Sequence, residues 1–141
     1  MKLAKWHLNN AKKNLKTLSF AVAVGEAQLC IENAAKAIIS CFQIPSWSHD
    51  PSEELFNVTK NNQAKITELF GAGFIKRLKE LAETASEYAE NHGKTVYGDF
   101  ARRIPPWRIY TRENAETALK YAKKAYRVSN KFVKTWYTLN I

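Results

Sequence analysis

The stretch Gly25-Glu-Ala-Gln-Leu-Cys-Ile-Glu-Asn-Ala-Ala-Lys-Ala-Ile-Ile-Ser-Cys-Phe42, with Ser48-His-Asp-Pro-Ser-Glu-Glu-Leu55 close behind it, decides the fold. Ala27, Cys30, Ile31, Ala34, Ile38, Cys41 and Phe42 recur at spacings of three and four, the mark of a helix with one buried stripe. Ala34, Ala35 and Ala37 are small enough to let a second helix come close. Asp50 and Glu53 form a capping pair around Pro51, so a new helix is expected to start there.

The same helical period runs outward in both directions. A first helix is expected over residues 3–20, with Leu3, His7, Ala11, Leu15 and Leu18 inward and Lys5, Lys12 and Lys16 outward. Gly25 is read as the bend before a second helix over 26–43, which Ile44-Pro45 closes. A short helix follows from Pro51 to about Val58, and Thr59–Gln63 reads as a polar break. Phe74, Ile75, Leu78, Leu81, Ala82, Ala85, Tyr88 and Ala89 make the clearest stripe of the middle third, with Gly93 as its left-handed stop. Residues 94–110 contain Gly98, Pro105 and Pro106 without helical period and read as a loop. Thr111 then caps a last helix, with Ala115, Leu119, Ala122, Tyr126, Ser129, Val133 and Trp136 inward. Its outward face carries Lys120, Lys124, Arg127, Lys131 and Lys134. The expected fold class is all-α, an antiparallel up-and-down bundle of four long helices plus a short one, in a single domain spanning 1–141.

Composition narrows the function classes. The net charge is +9, with basic ends and an acidic middle, which points to an anionic partner or to a heavily solvated surface. No apolar run approaches the roughly 18 residues that cross a bilayer. Phe20–Val24 is too short for a signal-peptide core, so a cytoplasmic protein without a membrane association is expected. Cys30 and Cys41 fall on one expected helix about 16 Å apart by helical rise, beyond disulfide reach, and read as reduced thiols. His7, His49 and His92 are far apart in sequence and none has metal-ligand spacing, so neither a metal site nor a cofactor is expected.

Three groups of residues carry candidate chemistry. The segment Ala101-Arg-Arg-Ile-Pro-Pro-Trp-Arg-Ile-Tyr-Thr111 gathers Arg102, Arg103 and Arg108 with Trp107 and Tyr110 around two prolines. Arginine forks grip phosphate, aromatic faces stack bases, and proline stiffens the loop between them. The plainer alternative is that Trp107 and Tyr110 plug the end of the bundle while the arginines cap helix ends. Glu32 and Lys36 stand four apart, as a helix-surface ion pair or as part of a nucleotide cleft. His49 reads as a residue packed back onto the bundle beside the cap Asp50, with a catalytic role as the alternative.

Cys30-Ile-Glu-Asn-Ala-Ala-Lys-Ala37 followed by Ser48-His49-Asp50 resembles the HEPN family, whose central helix carries "QxAxEKAxKA" and then "THDL". The order of long, long, short, long and long helices resembles that family's bundle, and the likeness covers nearly the whole chain. Arg103-Ile-Pro105 and Tyr110-Thr111 also resemble the "RYP … YT" that precedes the family's last helix. The family's ribonucleases carry Arg, four to six residues, then His, and its toxin branch carries Arg-x4-His-x-Tyr, with the tyrosine adenylylated by a partner nucleotidyltransferase. This chain instead has Arg103, four residues, Arg108, one residue, Tyr110. Arginine cannot exchange a proton near neutral pH, so it cannot replace histidine as acid or base. The resemblance therefore implies a non-catalytic module that binds a nucleotide or RNA, acts as a homodimer and works beside a minimal nucleotidyltransferase. Two other readings stand beside it: an unorthodox ribonuclease of a toxin–antitoxin pair using His49 with Arg103, and a structural protein-interaction bundle.

Overall fold

A computed structural model describes residues 1–139; Asn140 and Ile141, the end of the expected 1–141 domain, lie outside the described residues. Four long helices, α1 (Lys2–Lys16), α2 (Phe20–Ile39), α5 (Gly73–Ala89) and α8 (Arg112–Leu139), make an all-α bundle. Four short ones fill the connections: α3 (Ser52–Asn61), α4 (Gln63–Phe70), α6 (Asn91–Tyr97) and α7 (Pro106–Ile109). Among the described residues the sole β feature is one isolated bridge, Asp99 with Ile104. No described helix is long and apolar enough to cross a membrane.

Helix α2 is the axis of the molecule and packs most extensively on α1 and α8. Its stripe of Ala27, Cys30, Ile31, Ala34, Ala35 and Ile38 is wholly buried. Small residues face each other across the α2–α8 seam, which brings the two backbones close. Ser129 Oγ donates to the Ala34 carbonyl at 2.7 Å, and Cys30 Sγ to that of Ala122 at 3.7 Å. At one end of the seam Phe132 is fully buried, stacked on Phe70 at 4.5 Å and packed near Phe42, Phe74 and Trp136. Both cysteines are free thiols; Cys41 lies just past the end of α2 rather than on it.

Several local expectations need correcting. The bend between the first two helices sits at Leu18, whose φ is +62°, so Phe20–Gly25 is the first part of α2. Gly25 has another use: a Cβ there would stand 2.8 Å from Thr95 Oγ1, so its bareness lets α6 lie against α2. The buried side of α1 is Ala4, His7, Leu8 and Ala11, whereas Leu3 and Leu18 are exposed. The buried face of α1, which packs mainly on α2, thus mixes two alanines with Leu8 and His7. The polar break after α3 shrinks to Asn62 alone. Gly93 is inside α6, and the left-handed stop is Gly98, with φ +74°. Residues 94–110 therefore contain the end of α6 and all of α7 rather than loop alone. In α8 the ring at the seam's end is Phe132, with Val133 only half-buried. The α5 stripe and the Thr111 cap appear as expected: Thr111 and Asn114 exchange reciprocal side-chain to backbone hydrogen bonds at 3.0 and 3.2 Å. The expected Asp50–Glu53 capping pair is corrected: Pro51 is the N-cap position of α3, without a side-chain cap hydrogen bond, and Asp50, one residue earlier, accepts from the Ser52 N–H through Oδ1 at 3.0 Å.

Candidate functional site

Residues 98–110 form a braced projection. Gly98 ends α6 in a conformation where a Cβ would stand 2.2 Å from the Ile104 carbonyl oxygen, so only glycine fits. Asp99 and Ile104 then exchange backbone hydrogen bonds of 2.9 and 3.0 Å, closing the loop of residues 100–103. Inside it the Arg103 N–H donates to the Phe100 carbonyl at 3.3 Å, and Arg103 takes a φ of +56°. Asp99 Oδ1 accepts from the Arg102 N–H at 3.0 Å, and its other oxygen lies 3.8 Å from the Arg102 guanidinium. Pro105 is extended, and Pro106 opens α7 at the position where a missing N–H costs nothing.

This scaffold divides the five candidate residues of the segment. Arg102, Arg103, Trp107 and Arg108 are exposed, Trp107 at 76%, and Phe100 is exposed too, at 91%. Tyr110 is buried. Its hydroxyl donates to Asn91 Oδ1 at 2.6 Å, and burial beside the Glu90 carboxylate pushes it up to about 12. Its ring borders a cavity of about 440 Å³ shared with Asn91, Lys94 and Glu113. Tyr110 thus ties the projection to α6, while the arginines and the rings of Phe100 and Trp107 are exposed to solvent.

A second group lies farther along α2. Glu32 is almost fully buried, and Lys36 Nζ donates to its Oε1 at 2.8 Å, which is the four-apart ion pair read from the sequence. Gln28 Nε2 donates to Oε2 at 2.9 Å. His49, from the connection between α2 and α3, places Nδ1 3.4 Å from Oε1 and stacks on His92 at 3.5 Å between ring centroids. The fold thus joins two histidines that are 43 positions apart, and His92 had no signal in the sequence to connect it with His49.

The basic face of α8 is the third group. Lys120, Lys124, Arg127, Lys131 and Lys134 are all exposed. Lys124, Arg127 and Lys131 line a groove of about 410 Å³ together with Arg77 and Glu80. Lys124 pairs with Glu80 at 3.4 Å, and Lys131 Nζ sits 5.9 Å from the Phe74 ring centre. Arg77 comes from α5 and was missed because cross-helix neighbours leave no trace in the spacing of either helix.

The chain matches no curated protein and no solved structure. The HEPN domain model, however, matches residues 1–132. With that match over an all-helical bundle, the chain belongs to the HEPN domain family, a family of nucleotide- and RNA-related modules.

Proposed function

We propose that this chain is a non-catalytic, single-domain HEPN module that binds a nucleotide or single-stranded RNA through the 98–110 projection. The observation that carries the reading is the exposure of three guanidinium groups and two aromatic rings on one short segment, split between the hydrogen-bonded 100–103 loop and the proline-opened α7. Guanidinium forks pair with phosphate oxygens in two parallel hydrogen bonds, and exposed rings stack on bases whatever their sequence. A left-handed arginine is costly for the fold, and backbone strain of this kind gathers where a site needs it. The basic groove between α5 and α8 supplies a second, sequence-independent attraction for a polyanion.

The non-catalytic part rests on Arg108, which stands where the family's ribonucleases carry histidine; arginine as a residue type does not serve as a general acid or base. The homodimer part rests on apolar side chains left in water outside the projection, among them Ile44 and Trp47. A minimal nucleotidyltransferase is the partner that this reading implies.

Anisotropy of a labelled single-stranded RNA, measured across a salt series, tests the binding. Arg103→Ala and Arg108→Ala should each weaken it by about 1–3 kcal/mol, and affinity should fall steeply as salt rises. No binding, or variants that bind like wild type, would leave the protein-interaction reading. RNA cleavage that disappears in His49→Ala would overturn the non-catalytic part. A light-scattering mass that stays at 16.1 kDa in concentrated solution would remove the homodimer.

A further inference from the structure

Glu32, His49 and His92 come from three different parts of the chain, yet their ligand atoms all lie within 4.8 Å of one another. Tetrahedral zinc holds nitrogen and oxygen donors at about 2.0–2.1 Å, which sets neighbouring donors roughly 3.3 Å apart. His49 Nδ1 already stands 3.4 Å from Glu32 Oε1, while the two imidazole rings, stacked at 3.5 Å between centroids, have to turn out of that stack for their in-plane nitrogen lone pairs to converge on one ion. We propose that these three residues form a site for a divalent transition metal, with zinc the best match to two imidazoles and one carboxylate.

The surroundings fit that role. Gln28 fixes one carboxylate oxygen through a 2.9 Å hydrogen bond, which orients Glu32 as outer-shell partners orient metal ligands. Gln28 is itself 2% exposed, and its Oε1 has no hydrogen-bond partner among the described residues. Gln28 and His92 together border a cavity of about 160 Å³, room enough for solvent or a small ligand next to the cluster. His49 is more than half exposed on its side-chain atoms, so it can rotate to tighten the donor set, and three protein ligands leave a fourth position open.

Lys36, like the ring stacking, opposes the metal. Lys36 Nζ occupies Glu32 Oε1 at 2.8 Å, the same oxygen that faces His49. A cation entering there must displace that ammonium or bear its repulsion. Lys36 therefore acts as a brake on affinity, and removing its charge should tighten the site. A purely structural Glu32–His49 contact predicts no such gain.

The test is calorimetric titration of the tag-free chain with Zn²⁺, paired with Co²⁺ absorption spectra. Wild type should take one equivalent, and Co²⁺ should give tetrahedral d–d bands without a thiolate charge-transfer band, which excludes Cys30 and Cys41 as ligands. His49→Ala and His92→Ala should each weaken uptake at least tenfold. Lys36→Met should strengthen it, while His7→Ala, whose ring pairs with Glu26 at 2.6 Å, should leave it unchanged. Because His49 is largely exposed, its variant keeps the test valid if the others fold poorly. No saturable uptake in the micromolar range, or uptake by the His49→Ala/His92→Ala double variant equal to wild type, would overturn the proposal. These readouts involve no RNA, so they stand or fall separately from the proposed binding function.

Discussion

The seam between α2 and α8 and the projection at 98–110 are built on opposite rules. In the seam the residues are small or tightly interlocked and fully buried, and the Ser129 hydroxyl and the Cys30 thiol both find carbonyl partners. On the projection, large rings and guanidinium groups face water, a glycine and an arginine hold positive φ, and two prolines and one bridge keep the shape. The first arrangement lowers the free energy of the fold. The second gives up some of that stability to keep such groups exposed, where the proposed RNA contact would use them. Stability and recognition are therefore expected to respond to different substitutions.

The largest expected effect is in the seam. Phe132→Ala removes a fully buried ring from a cluster of four other aromatic side chains and should lower unfolding free energy by about 3–5 kcal/mol, measured by denaturant titration. RNA affinity of the folded fraction should hold. If affinity collapses while the variant is still fully folded, the separation between the two regions fails.

Gly98→Ala attacks the other side of the comparison. Its Cβ would meet the Ile104 carbonyl oxygen, so the bridge that closes the 100–103 loop must open. The local strain is on the order of 1–3 kcal/mol, and RNA binding should fall by a similar amount as the arginines lose their fixed positions. The melting temperature should move less than in Phe132→Ala. A variant that binds normally would show that the braced shape is unnecessary.

Ser129→Ala is a smaller probe of the seam and should cost roughly 1 kcal/mol by removing the hydrogen bond to Ala34. The thiols give a pH-dependent counterpart. Burial raises Cys30 from an ordinary 9.0 to about 12 and Cys41 to about 11. Both are neutral when protonated, so the unfolded chain releases these protons first. Their contribution is complete below pH 9 and declines as pH rises towards 11 and 12. Denaturant midpoints should fall across that window, and a Cys41→Ala variant should lose less than wild type.

The two regions also differ in how far the sequence revealed them. Helices with a wide apolar stripe could be read directly, as α5 shows from Phe74 to Ala85, with Tyr88 and Ala89 half-buried at its end. α1 was legible in part: His7 and Ala11 are buried as expected, but Ala4 and Leu8 complete the face where Leu3 and Leu18 were expected. α6 was hidden by Gly93, a helix breaker by propensity that tertiary packing overrides. The arginines of the projection were legible from composition alone. Their division from the buried Tyr110 was not, because it depends on Asn91, a residue nineteen positions away. The meeting of His49 with His92 is likewise a product of topology, set by how α6 lies along α2.

Arg103→Gly tests the central claim most directly, because glycine removes the guanidinium and relieves the positive φ in one change. RNA anisotropy and denaturant unfolding should be measured on the same preparation. The expected result is binding weakened by about 1–3 kcal/mol alongside unfolding free energy that is unchanged or up to about 1 kcal/mol higher. Binding equal to wild type would contradict recognition through the projection, and a loss of stability would contradict the division between a seam that holds the fold and a strained loop that holds the ligand.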